Sequence, residues 1–104
     1  METKHYHVFV EPSADRRLAS HIEFLARVSE IAAVKLYEAY RDALIFLEGS
    51  PKSCPLYESQ TKIDAELRYK LFYERYRIVF EIVDDSVYAY DIQDCRQDMA
   101  KNLI

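Results

Sequence analysis

The chain has 104 residues, 50% of them hydrophobic, with a single glycine and three prolines. That composition excludes a disordered or linker-rich chain and suits one compact domain spanning 1–104. The formal net charge is -4 and the pI about 5.3, which argues against a general nucleic-acid binder, whose usual footprint is a basic domain, but leaves room for a local basic patch.

In chain order, "HYHVFVEP" (5–12) alternates and stops at Pro12, as a short strand does. Ser13 is placed to cap a following helix over about 13–28, whose apolar positions Ala14, Leu18, Ile22 and Leu25 recur at helical spacing. A second helix over about 30–48 shows Ala33, Leu36, Tyr40, Leu44 and Leu47 on one face, and Gly49 reads as its C-cap. So short a connection makes the two helices an antiparallel hairpin. Residues 51–64 are polar, contain two prolines and read as a loop. Three strands are expected beyond it, at about 65–73, 75–83 and 86–94, and the tail "RQDMAKNLI" ends in a single helical turn. The order β-α-α-β-β-β predicts an α+β domain, with a helical hairpin packed on one face of a small, largely antiparallel four-stranded sheet.

A two-residue turn at Glu74-Arg75 sets an expected register. It places Tyr73 opposite Tyr76, Phe72 opposite Arg77, Lys70 opposite Val79 and Arg68 opposite Glu81. Leu67, Tyr69, Leu71, Tyr73, Tyr76, Ile78, Phe80 and Ile82 then form the buried face. Arg68, Lys70, Phe72 and Arg77 share the other face, with Arg96 within reach of it. Such a face is either an ordinary solvated surface with an Arg68–Glu81 cross-strand pair or a platform for phosphates and bases. In the third strand, Tyr88, Tyr90 and Ile92 face out if the turn at Asp84 is tight, and face the helices if it is one residue longer.

The two cysteines, Cys54 and Cys95, stand far apart and make neither a CxxC nor a zinc-type Cys/His spacing. They are expected to be free thiols, with no metal and no cofactor. His5, His7 and His21 are expected to be structural or exposed. No secretory signal is read at the N-terminus and no apolar run nears the ~20 residues of a membrane span, so a cytoplasmic protein is expected.

The segment "YRIVFEIVDDSVYAYDIQDCRQD" (76–98), together with the order of elements, resembles the RelE/ParE superfamily, the toxins of bacterial type II toxin–antitoxin modules. The resemblance rests on Tyr76-Arg77-Ile78, the acidic turn Asp84-Asp85 and Arg96-Gln97-Asp98, and covers about residues 5–98. It implies a RelE/ParE-like fold and a toxin held by a cognate antitoxin, with Leu18, Phe24 and Tyr37 as candidate antitoxin contacts. RelE-like members bind the ribosome and cut mRNA with strand-borne cations, so a metal-independent endoribonuclease is the first expectation. Arg68, Lys70, Arg77 and Arg96 match the positions of those cations, with Arg77 and Arg96 stabilising phosphate charge. ParE-like members inhibit DNA gyrase without catalysis, which is the alternative, beside a non-toxic member that only binds its antitoxin. Two features depart from the RelE-like pattern. Asn102 stands where the family has Tyr or His, and residues 81–98 hold six acids against one Arg.

Overall fold

The computed structural model describes residues 4–59, 64–97 and 101–104. Its elements are β1 (His7–Val10), α1 (Pro12–Ala26), α2 (Glu30–Gly49), a 3-10 turn (Pro51–Ser53), β2 (Leu56–Tyr57), β3 (Leu67–Phe72), β4 (Tyr76–Val83) and β5 (Ser86–Asp94). The strands form one sheet in the order β1-β5-β4-β3-β2, with β1 parallel to β5 and every other pair antiparallel. The fold is α+β, with a helical hairpin on a mostly antiparallel sheet. It has five strands where four are expected, because Leu56-Tyr57, inside the expected loop, pair with Arg68 and Leu67. The helical turn expected in the tail falls largely on 98–100, outside the described residues.

α1 begins one residue before the expected cap. Pro12 takes the first helical position, where its missing N–H costs no hydrogen bond, and Glu11 is the N-cap without a side-chain cap bond. Ser29 caps α2 by accepting from Ala32 N–H at 3.1 Å. Gly49 is the last helical residue, not the cap, and Ser50 N–H closes the helix on Phe46 C=O at 2.9 Å. Ala14, Leu18, His21 and Leu25 of α1 and Ala33, Leu36, Tyr40, Ala43 and Leu47 of α2 are buried. All of these except His21 and Ala33 join a core with Tyr76, Ile78, Phe80, Val87, Ala89 and Ile92 of the sheet.

The β3–β4 hairpin departs from the expected register by one residue. The turn has three residues, Tyr73 to Arg75, and Phe72 pairs with Tyr76, Leu71 with Arg77, Lys70 with Ile78 and Arg68 with Phe80. Tyr73 and Glu74 adopt φ of 48° and 64°, and Arg75 N–H folds back onto Tyr73 C=O at 2.8 Å. The apolar interior selects this register. Phe72 enters the core between Tyr40 and Tyr76, at ring-centroid distances of 5.8 and 5.7 Å. A one-residue slip exchanges the two faces of a strand. Arg68, Lys70 and Phe72 therefore stand on the helix side, and Leu67, Tyr69 and Leu71 on the far side with Arg77, the reverse of expectation for β3.

The Asp84-Asp85 turn is tight, with Val83 opposite Ser86 and Asp84 at φ 55°. Tyr88 consequently faces away from the helices and stacks on Phe9 at 5.4 Å. Ile92 nevertheless lies in the core. A register shift between Val79 and Phe80, which pair with Asp91 and Ala89, leaves Tyr90 as an extra residue and inverts the alternation of β5. β1 pairs only as far as Ala89. Beyond it α1 covers β5, and His21 Nε2 hydrogen-bonds Ile92 C=O at 2.7 Å. The carbonyl can only accept, so the proton sits on Nε2. Burial pushes the His21 pKa below 6.5 and keeps the ring neutral, and the backbone hydrogen bond opposes part of that shift.

Candidate functional site

The strongest polar constellation lies on the sheet face turned away from the helices, where β4 and β5 place Arg77 opposite Gln93 and Val79 opposite Asp91. Without the extra residue at Tyr90, Asp91 and Gln93 would point into the helix-side core. The bulge is what brings them to Arg77.

Arg77 Nε donates to Gln93 Oε1 at 2.7 Å. Its guanidinium lies 5.0 Å from the Tyr57 ring centre and 5.6 Å from that of Tyr69, within cation–π range of both. Tyr57 and Tyr69 meet edge to face at 6.4 Å, so the rings and the guanidinium hold one another. Gln93 Nε2 faces Asp91 Oδ2 at 2.9 Å, Tyr57 Oη at 3.0 Å and Ile104 C=O at 3.3 Å, three acceptors for two amide hydrogens. Tyr57 Oη in turn donates to Ile104 C=O at 2.7 Å. Asp91 also accepts from Arg17 Nε at 3.3 Å and from Leu103 N–H at 2.7 Å. Both Asp91 and Gln93 are fully buried. The carboxylate is thus paired and saturated, as a buried charge must be. Gln93 fixes the Nε side of Arg77. The Nη side has no hydrogen bond among the described residues and remains a fork of donors suited to a phosphate or carboxylate.

The four expected site cations are not brought together. Arg77 alone lies on this face. Arg68 is on the helix side, donating from Nη1 to Cys54 C=O at 2.7 Å and from Nη2 to Glu66 at 3.3 Å. Lys70 is also on the helix side, its ammonium 4.3 Å above the Phe46 ring centre. Arg96 pairs with Asp94 at 3.6 Å, and Asp94 shares the face of Tyr76. Asn102 accepts from Arg17 Nη2 at 3.4 Å and so ties the tail to α1. The residues that do surround Arg77, namely Tyr57, Tyr69, Gln93 and Asp91, are absent from the expected set. Tyr57 lies in the segment read as a loop, Tyr69 on the face read as buried, and the other two depend on a bulge that alternation alone does not reveal.

His5 and His7 are exposed and His21 is buried in its structural bond. Cys54 and Cys95 are both free, Cys54 buried and Cys95 exposed, and burial pushes the Cys54 thiol up while Lys70 and Arg68 pull against it. Tyr90 donates to Glu81 at 2.6 Å, a bond that helps raise its hydroxyl to about 12.

A second surface is apolar. The helical hairpin exposes Phe24, Val28, Ile31, Val34, Tyr37 and Ile45 to solvent. Phe24 and Tyr37 are exposed as expected, but Leu18 is buried in the core and cannot be a contact. Among the described residues no helix is long and apolar enough to cross a membrane. Compared with protein-family models and with curated proteins, the chain returned no significant match to either.

Proposed function

We propose that this chain is the toxin of a two-protein toxin–antitoxin module of the RelE/ParE kind, acting as a ribosome-dependent mRNA endonuclease in which Arg77 contacts the phosphate under attack. The observation that carries this reading is the Arg77 clamp. A guanidinium held between two tyrosine rings, with its Nη donors free among the described residues, suits a phosphodiester flanked by stacked bases. The packing of α1 on β5, with β1 parallel beside that strand, supports the same reading. In this reading Arg68, Lys70 and Arg96 fall away from the reacting group, and Tyr57 and Tyr69 replace them as its neighbours.

The separation of the cations favours a second reading, in which the toxin blocks a protein target such as DNA gyrase without cleaving RNA. General acid–base catalysis needs groups within hydrogen-bond reach of the moving proton, and Arg68 and Lys70 stand on the other side of the sheet. In both readings the exposed hairpin row from Phe24 to Ile45 is the surface for a cognate antitoxin, since an apolar row of that kind marks a protein interface.

The test is 5′-end mapping of cellular mRNA shortly after the chain is induced alone, with Arg77→Gln beside it. New ends inside translated frames, lost in Arg77→Gln while the variant stays folded, are the expected result. Growth arrest without new ends transfers the proposal to the protein-target reading. Unimpaired growth with soluble, folded chain refutes the toxin reading altogether.

A further inference from the structure

The outer edge of β3 is only half used. β2 covers Leu67 and Arg68, and Tyr69 N–H donates to Pro55 C=O at 3.1 Å. Backbone groups alternate sides along a strand, so Tyr69 and Leu71 present theirs to the β2 side, while Lys70 and Phe72 present theirs to β4. Past Pro55 no strand continues the line of β2 among the described residues. Leu71 N–H and C=O therefore face outward beside a side chain that is 49% exposed.

This unpaired stretch is flanked by two adjoining hollows. One, of about 230 Å³, lies between Phe46, Cys54, Pro55 and Leu71. The other, of about 280 Å³, lies between Ala39, Asp42, Ala43, Phe72 and Tyr73, with Asp42 forming no ion pair with Lys70 among the described residues. Both share Phe46, Lys70 and Leu71, so they run along the same edge. Lys70 projects between them over the Phe46 ring and forms no ion pair among the described residues.

We propose that the Tyr69–Tyr73 edge of β3 is a strand-addition site for an extended peptide segment of a partner protein, carrying aliphatic side chains for the two hollows and an acidic side chain for Lys70. Three independent features select that ligand. The open backbone row suits an extended chain, because an added strand pairs with Leu71 N–H and C=O together. The hollows take small aliphatic groups. The unpaired ammonium asks for a carboxylate beside them, where partial burial strengthens the pair. The site uses the outer backbone of β3 and side chains of α2; it adjoins the Arg77 face through Tyr69 and Leu71 but does not rest on the toxin reading.

Amide hydrogen exchange on the full chain tests it, with a blocked heptapeptide of alternating threonine and valine bearing one central glutamate as the probe. In the free chain Leu71 N–H should exchange as an open edge, far faster than Ile78 N–H on the neighbouring strand. Saturating peptide should slow Leu71 by about tenfold or more and leave the amides of β5 unchanged. Lys70→Glu should abolish that protection, and a peptide with lysine in place of the glutamate should restore it on the variant. Three outcomes overturn the proposal: Leu71 N–H already protected in dilute free chain, protection that grows with protein concentration alone and so reports a second copy on the edge, or no protection at millimolar peptide.

Discussion

The two faces of the sheet are stabilised by different means. The helix side is an apolar interior in which Ile78, Phe80, Val87, Ala89 and Ile92 are fully buried. The far side buries Asp91 and Gln93 just as completely, but through a chain of hydrogen bonds running from Arg77 through Gln93 and Asp91 to Arg17. Apolar packing tolerates replacement by another apolar group of similar volume. A polar network tolerates very little, because each deleted member strands its neighbours without partners. The far face therefore carries more positional information per residue, as expected of a site.

The largest test of this contrast is on the apolar side. Phe80→Ala should cost about 3–5 kcal/mol in denaturant unfolding, by lost burial plus the cavity left behind, while Phe80→Leu should cost less than half as much. If the two substitutions proved equal, packing would not be what holds that face.

On the polar side Asp91→Ala should cost about 2–4 kcal/mol, because it strands Arg17, Gln93 Nε2 and Leu103 N–H at once. The conservative Asp91→Asn should recover little of that loss, since an amide cannot accept on both sides and does not balance Arg17. Near-complete rescue by Asn would show the face to be held by shape and not by charge.

Arg77→Ala should cost about 1–2 kcal/mol through the lost Gln93 bond and the two ring contacts. Arg77→Lys should restore at most part of it, since lysine has no planar fork to lie between the rings.

On the helix side His21 ties α1 to β5. Its folded pKa lies below the ordinary 6.5 through burial, so the unfolded chain binds the proton more readily. Stability from this group is complete above 6.5 and is lost as pH falls toward the lower, folded pKa. The charges facing the ring are Arg17, which lowers its pKa, and Asp94 and Asp91, which raise it. Unfolding midpoints measured at about pH 7 and about pH 5 should fall more steeply in the native chain than in His21→Gln. Equal slopes would mean that the ring carries no such linkage.

The smallest expected effect concerns the turn that decides which face each β3 side chain joins. Glu74 sits at φ 64°, a conformation that favours glycine. Glu74→Gly should stabilise the chain by about 0.5 kcal/mol, the relieved strain outweighing the added freedom of the unfolded state. A loss of stability would mean that the Glu74 side chain contributes something beyond its backbone.

Periodicity alone located both helices and the three long strands within about two residues of their observed limits. Those elements are long, and each has one continuous buried stripe. It named Arg77 only as one of a set with Arg68, Lys70 and Arg96. It could not reveal β2, whose two residues are too short to show alternation, nor the neighbours of Arg77. Tyr57 comes from that hidden strand, and Gln93 and Asp91 reach the far face only through the extra residue at Tyr90.

What the sequence by itself determined, then, is the class of the fold, the order of its two helices and four longer strands, and most of the helical and β4 core positions, because these depend on local spacing and on burial of apolar side chains. What only the tertiary structure decided is which cations share a face. Strand side chains alternate with a period of two, so one additional residue in the 73–75 turn sends Arg68 and Lys70 to the helix side and leaves Arg77 on the other. The competition that chose that turn, Phe72 against Tyr73 for a place beside Tyr40 and Tyr76, is settled by packing across elements distant in sequence.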